Sequence, residues 1–342
     1  MPSAQSIAPP TAQSNAQPIV VVIGTGGTIA GTAPRAQAHV GYKAGAWPAE
    51  TLVSAVPALQ GQLLEVVSLA QLDSCDMDHA TWLKLAHAVQ GHLARPEVAA
   101  VVITHGTDTL EETALFLHLT VQADKPVVLT AAMRPASAPS PDGPQNLVDA
   151  ITVARTPGAR GVLAVLGGQV FAGHELRKVH GYRLDAFTAG DAPPLALVQD
   201  GQLRRFRTWP DAAPAQAAAL HTDPALWPAV DIVTSHAGAR GQTLEALVQA
   251  GARGIVIAGT GNGSVHQSLL AAAQRAVAQG VVVRRASRCV VGGVVAGVMA
   301  GVVEGDPPGA LPSTLPSAGS LTPAQARVQL LLELVVASDH RQ

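Results

Sequence analysis

The chain alternates short, wholly apolar runs with longer stretches in which apolar residues recur every three or four positions. Runs at Ile19 to Ile23, Val98 to Thr104, Pro126 to Ala131 and Gly161 to Leu166 are rich in valine, alanine and isoleucine and are bounded by turn residues. Strands buried on both faces have this texture, because neither face turns to water. Between them, His79 to Ala94 and Gln145 to Ala154 carry apolar residues at helical spacing. This repetition of strand, helix and strand predicts an α/β fold built on a parallel sheet.

A second, smaller series begins at Ala229: AVDIVTSH, TLEALVQAGA, GIVIAG, SVHQSLLAAAQRAVAQG and VVVRRASR alternate strand and helix patterns again. The join over 207–228 is proline-bearing and reads as a loose linker. It separates a larger N-terminal parallel-sheet domain (18–206) from a smaller C-terminal α/β domain (229–342). Residues 1–17, rich in Pro, Ser and Gln, read as a disordered tail. Near the C-terminus, Thr322, Pro323 and Gln325 supply the N-cap, first-turn proline and capping-box partner of a closing helix.

Composition narrows the function classes. A length of 342 residues suits two domains, and 48% hydrophobic residues allow a large interior. A net charge of -2 gives no basic footprint, so neither nucleic acid nor a membrane surface is an expected partner. The two cysteines, Cys75 and Cys289, cannot build a disulfide scaffold, and the N-terminus lacks a signal-peptide pattern. Both features point to a cytoplasmic location. The uncharged run over 289–303, 15 residues, is shorter than the roughly 20 that span a bilayer. It reads as a buried strand or an interface segment. His174, Glu175 and His180 lack the H-E-x-x-H spacing, so no metal site is expected.

Two stretches carry candidate chemistry. In VVIGTGGTIAG (21–31), Ile29 occupies the place of the third glycine of a dinucleotide fingerprint, and the first acidic residue of the chain is Glu50. No phosphate-gripping G-x-x-x-x-G-K-[ST] loop is present either. Gly26 and Gly27 instead permit a sharp turn off a strand that leaves Thr28 at the strand's carboxyl end, where open α/β sheets place their sites. VVITHGTDTLEETA (101–114) repeats the design and delivers Thr107 and Asp108 to the same edge. Thr109 and Glu112 read as a T-x-x-E capping box, which leaves Thr107 and Asp108 without a structural explanation.

TGGTIAG (25–31), ITHGTDTLEETA (103–114) and AAMRPASAPSPDGPQNL (131–147) together resemble the bacterial L-asparaginases and glutaminase-asparaginases. The resemblance continues through DSCDM (73–77), GHELRKVHGYRLDAF (173–187), GTGNGS (259–264) and LTPAQAR (321–327), and so covers nearly the whole chain after residue 18. It implies hydrolysis of the side-chain amide of asparagine, and to varying degrees of glutamine, through a threonine acyl-enzyme, without metal or cofactor. By position it makes Thr28 the nucleophile, assisted by Tyr42 in the lid that follows, with Thr107, Asp108 and Lys178 as a second catalytic group. It also implies substrate contacts at Gly27, Asp73, Ser74, Cys75, Gly106, Thr107, Asp108, Ala132, Asn262 and Ser264. Asp108 would anchor the α-ammonium, Ser74 the α-carboxylate, and backbone N–H groups near Gly27 and Thr107 an oxyanion. An intimate homodimer, or a tetramer of two such dimers, with active sites at the subunit interface, is implied as well.

Three features depart from the family pattern. Cys75 stands where members often carry glutamine, and Ser264 where some carry asparagine, a smaller side chain that suits glutamine as substrate. The interval that supplies an intersubunit carboxylate in many secreted members is long here, and Glu304 is its nearest candidate. Two other readings start from the same pocket. A non-catalytic amino-acid-binding protein would not require the Thr28, Thr107, Asp108 and Lys178 set. The glutamine-hydrolysing subunit of a tRNA-dependent amidotransferase would be expected to carry an extra N-terminal domain, for which the tail leaves no room. A nicotinamide-dependent dehydrogenase would need a degenerate fingerprint.

Because Cys75 neighbours the implied substrate contacts, a thiol-blocking reagent is expected to slow amide hydrolysis, and Cys75→Ser to remove that sensitivity. Unchanged activity after complete labelling, followed by mass spectrometry, defeats this expectation.

Overall fold

The structure, a computed structural model, describes residues 18–35, 41–212, 214–295 and 315–339. The expected tail, the apolar run beyond 295 and Glu304 lie outside the described residues. Strands β1 (Ile19–Gly26), β2 (Leu64–Leu72), β3 (Val98–Thr104), β4 (Val127–Thr130) and β5 (Val162–Leu166) are parallel and stand in the order β2-β1-β3-β4-β5. Beyond β5 the sheet continues antiparallel through β6 (Gln169–Ala172), and then β9 (Ala196–Gln199) and β10 (Gln202–Arg205). A short hairpin of β7 (Arg177–Lys178) and β8 (Phe187–Thr188) stands apart from it.

The apolar runs form these strands because both sheet faces are covered. Val20, Val21, Val22 and Ile23 are all fully buried, yet they belong to two different cores. Val21 and Ile23 pack with residues of α2 (His79–Leu93) and α3 (Leu110–Thr120). Val20 and Val22 pack with α1 (Ala49–Ser54) and α4 (Gly143–Ala154). The period of two along β1 thus sends alternate side chains to opposite helical layers. Each such valine or isoleucine contributes about 1.5–3 kcal/mol by leaving water.

In the C-terminal part, β11 (Val230–Thr234), β12 (Gly254–Gly259) and β13 (Val282–Ser287) form a parallel three-stranded sheet. Residues of α5 (Gln242–Gln249) and α6 (Gln267–Ala278) share a core with Val233, Ile255, Ile257 and Val283. The other face, Val256 and Ala286, packs with Leu331 and Leu332 of α7 (Pro323–Asp339) in the core that also holds Phe116 and Leu117 of α3. One apolar core therefore runs from the large sheet into the small one. The capping box that opens α7 is present: Gln325 N–H donates to Thr322 Oγ1 at 3.2 Å, and Thr322 N–H to Gln325 Oε1 at 3.1 Å.

Two local expectations are corrected. The join over 207–228 is packed, with two 3-10 turns, Ala217–His221 and Pro224–Leu226, and with Trp209, Leu220 and Trp227 buried. Trp227 lies 5.1 Å from the His79 ring and 6.2 Å from that of Phe116, so its aromatic surface holds the segment down. The described part of the apolar run, 289–295, is a bent segment with Val290, Val291 and Val295 exposed, not a buried strand. Its backbone is held from several sides: Arg177 Nη1 donates to Val290 O at 2.6 Å, Gly292 N–H to Asp191 at 3.0 Å and Val294 N–H to Gly319 O at 2.8 Å.

The strand order reverses between β1 and β3, and the chain turns away from both ends with little space. Gly27 has φ +78°, and a Cβ there would lie 2.3 Å from Gly106 Cα. Gly61 has nearly the same φ, +76°, and open space around it. Gly61→Ala is expected to cost about 1 kcal/mol and Gly27→Ala about 2–5 kcal/mol, because the second adds overpacking to an unfavourable φ. Urea midpoints measure both, and equal losses would refute the close-approach account.

Candidate active site

Register brings the two motifs to one level. Gly24 pairs with Thr104 across β1 and β3, and Thr25 Oγ1 donates to Thr104 O at 3.1 Å. Four residues past Gly24 lies Thr28, and three past Thr104 lies Thr107, both beyond the carboxyl ends at the point where strand order reverses. This crevice is where open α/β sheets bind ligands. Gly26 and Gly27, with φ +106° and +78°, turn the chain there, and Gly27 N–H donates to Leu72 O at 2.9 Å. Thr28 then opens a single 3-10 turn, Thr28–Ala30, and is buried.

The first pair of candidate groups is Thr28 and Tyr42, whose hydroxyls are 2.6 Å apart. Backbone bonds between Thr32 and Lys43, Thr32 N–H to Lys43 O at 3.0 Å and the reverse at 2.8 Å, close the base of the excursion that carries Tyr42. Partial burial pushes the Tyr42 phenol above its ordinary pKa; the Thr28 hydrogen bond works against that rise, and the carboxylates Asp73 and Asp108 add to it. Tyr42 is therefore a neutral hydroxyl near pH 7, able to pass a proton along a hydrogen bond but not a standing phenolate.

The second group is Thr107, Lys178 and Asp108. Lys178 Nζ donates to Thr107 Oγ1 at 2.9 Å and to Asp108 Oδ1 at 2.5 Å. The Lys178 side chain is 17% exposed and that of Asp108 55%, so the carboxylate faces outward where a ligand can reach it. The hairpin β7–β8 delivers Lys178, and Glu111 Oε2 holds it by accepting the Lys178 backbone N–H at 3.0 Å. Burial raises the Glu111 carboxyl to about 7, ahead of a lowering by the Lys178 N–H and a further rise from Glu112. Beside it, the buried Arg177 donates to Val290 O at 2.6 Å and Ser320 O at 2.7 Å.

Ser74 links the groups. It is buried, its Oγ accepts the Asp108 N–H at 3.1 Å, and its carbonyl accepts the Thr109 hydroxyl at 2.7 Å. The second bond corrects the expected capping box at 109–112: Thr109 makes no side-chain cap to α3, because its hydroxyl is committed to Ser74. Glu112 points toward Arg327 Nη1, 4.0 Å away. Gly106 leaves room for the same serine, since a Cβ there would fall 2.4 Å from Ser74 Oγ. Asp73 and Cys75 flank it; Cys75 is exposed, and slight desolvation, then Asp73, Asp76 and Asp108, raise its thiol pKa. Ala132 is buried in the core layer with Ile29 and Ala30.

Asn262 and Ser264 stand elsewhere. They lie in the turn after β12, where Asn262 Oδ1 accepts the Val295 N–H at 2.7 Å and Ser264 exchanges backbone bonds with Thr260. No hydrogen bond joins either to Thr28, Thr107 or Lys178 among the described residues. Four further residues hold the site without a distinguishing mark in the sequence: Glu111, Arg177, His105 and Thr113. Glu111 and Glu112 are adjacent acids in the first turn of α3, a usual accommodation of the helix dipole, and nothing in the sequence distinguishes the buried one. No group of three or more acidic, histidine or cysteine residues suited to a metal occurs among the described residues.

Known proteins resemble this chain along most of its length. Residues 19–210 match the model of the asparaginase N-terminal domain, and residues 229–342 that of the glutaminase/asparaginase C-terminal domain. A probable periplasmic L-asparaginase of Haemophilus influenzae is 34% identical over 330 residues, 94% of this chain and 90% of that one. A glutaminase-asparaginase of Pseudomonas fluorescens is 35% identical over 283 residues, 80% of this chain and 76% of that one. The crystal structure of a probable cytoplasmic L-asparaginase from Campylobacter jejuni superposes with a TM-score of 0.81 at 35% identity, covering 92% of this chain and 94% of that one. With the two domain models matching in order along most of its length, the chain belongs to the asparaginase family of amidohydrolases.

Proposed function

We propose that the chain converts L-asparagine and water to L-aspartate and ammonia through an acyl-enzyme on Thr28, with L-glutamine as a secondary substrate. The observation that carries this reading is the meeting of two threonine hydroxyls, each with a polar partner, at one sheet edge: Thr28 with the Tyr42 hydroxyl at 2.6 Å, and Thr107 accepting from Lys178 Nζ at 2.9 Å. A threonine hydroxyl attacks an amide only if its proton has somewhere to go, and each pair supplies a partner.

In the first step the Thr28 oxygen bonds the side-chain amide carbon, its proton leaves through Tyr42, and the carbon–nitrogen bond breaks as ammonia departs. In the second, water attacks the resulting ester and the Thr28 hydroxyl is restored, with Thr107 and Lys178 positioned to relay the water's proton. Asp108, outward-facing at 55% exposure, suits the substrate's α-ammonium. The Ser74 hydroxyl accepts the Asp108 N–H, which leaves its own hydrogen for the α-carboxylate. The Cys75 thiol gives neither the donor nor the acceptor strength of an amide, which supports weaker recognition at that position.

The protein works, in this reading, as a homodimer or homotetramer. Val179, next in the chain to Lys178, is exposed, as is Val290, whose carbonyl Arg177 holds; Tyr182, Val291 and Val295 in the same two segments are exposed too, Tyr182 at 75%. Apolar surface of that kind next to a site suits a partner subunit, whose Asn262 and Ser264 turn would complete the pocket. We place the protein in the cytoplasm on its two exposed, unpaired thiols, Cys75 and Cys289. No described helix is long and apolar enough to cross a membrane.

Ammonia release from L-asparagine and L-glutamine tests the reaction. Thr28→Ala is expected to lower kcat at least about 1000-fold with the fold intact, and an undiminished rate would refute the nucleophile. Sedimentation tests the assembly. Tyr182→Asp is expected to release monomers and reduce activity at least about tenfold; a fully active monomer would overturn the shared site.

A further inference from the structure

Behind the crevice lies a buried chain of side chains that the reaction scheme does not use. His105 is fully buried, between strand residue Thr104 and the Gly106 that touches Gly27. Its Nδ1 is 2.7 Å from Gly106 O, and its Nε2 is 3.0 Å from Thr113 Oγ1. Thr113 Oγ1 in turn accepts the Trp82 Nε1–H at 2.8 Å. Every proton in this chain is determined by chemistry. A carbonyl only accepts, so Nδ1 carries the hydrogen; the indole only donates, so the Thr113 hydroxyl gives its own proton to Nε2. Burial pushes His105 down to about 4, so the neutral ring persists through the neutral range.

The consequence falls on one peptide unit. A trans peptide is planar, with its C=O and N–H pointing in opposite directions. The C=O of Gly106 is held by His105 on the buried side, so the N–H of the same unit, that of Thr107, points the other way, toward the crevice. No protein acceptor for the Thr107 N–H occurs among the described residues. Its neighbour, the Asp108 N–H, is already committed to Ser74 Oγ.

We propose that His105, held as the Nδ1–H tautomer by Thr113 and Trp82, is a positioning residue that aims the Thr107 backbone N–H at the oxyanion formed during amide hydrolysis. This rests on the hydrolase reading above. A donor so aimed stabilises charge that develops in the transition state, not in the bound substrate. Its loss therefore lowers kcat and leaves KM nearly unchanged.

Two substitutions separate aiming from packing. In His105→Asn the side-chain N–H₂ falls near the position of Nδ1 and keeps the bond to Gly106 O. In His105→Gln it falls near Nε2, facing Thr113, and that bond is lost although more of the volume is kept. The expected result is a kcat for His105→Asn within about threefold of the parent, and for His105→Gln a fall of roughly 10- to 100-fold at similar KM, short of the loss from deleting a donor outright. Packing alone predicts the reverse order, and that order in folded proteins would overturn the proposal. Nitrogen-15 NMR of the unsubstituted protein, with histidine labelled, requires no variant. A neutral Nδ1–H signal for His105 across pH 6–8 supports the relay, and an Nε2–H signal refutes it. An inactive parent would defeat the hydrolase reading and with it the proposed role of the Thr107 N–H, whereas an active parent with an Nε2–H ring would defeat the relay alone.

Discussion

Two backbones pass each other in contact at the carboxyl edge of the large sheet, and most of the site depends on that passage. At Gly27 and Gly106 there is no room for a side chain on either side, since a Cβ on Gly27 would sit 2.3 Å from Gly106 Cα. Because the loops after β1 and β3 meet there, Thr28 and Thr107 share one crevice. Had the strands been ordered differently, each loop would have opened toward a different neighbour, and the Thr28–Tyr42 and Thr107–Lys178 pairs would not share one crevice. The glycines are thus less a matter of flexibility than of distance.

The remaining groups are held by bonds that cross long stretches of chain. Lys178 reaches Thr107 and Asp108 from a two-residue strand that has little structure of its own, and Glu111 and Arg177 supply what the hairpin lacks. Glu111 bonds the Lys178 backbone, and the same carboxylate lies 3.5 Å from the Thr322 hydroxyl that caps α7. The C-terminal helix and the lysine therefore share an anchor. A buried carboxyl in this position is costly unless its lone pairs are engaged, which explains why the local geometry is specific.

The same economy of parts appears around Ser74, which touches Asp108, Thr109 and the space above Gly106. A threonine at the start of a helix ordinarily caps it. Here α3 gives up that bond, and the hydroxyl serves the loop across the crevice. His105, Thr113 and Trp82 make the corresponding connection from the core side, so the peptide between Gly106 and Thr107 is gripped from within while its N–H is left to the pocket.

The alternation of apolar runs was sufficient to read the α/β class, the parallel strands and the closing helix with its capping box, because these follow from periodicity and local hydrogen bonding. The motifs at 25–31 and 103–114 were legible for a related reason, since their glycines and hydroxyls are consecutive in the chain. Other features were decided by tertiary contact. Which of two adjacent glutamates is buried, whether Thr109 caps its helix, where 289–295 runs and what holds Lys178 all depend on partners tens to hundreds of residues away. Local pattern records a residue's affinity for water and its neighbours in the chain. The direction of a buried hydroxyl, imidazole or guanidinium is set by whichever donor or acceptor the fold leaves unpaired beside it, and that is known only once the chain has closed on itself.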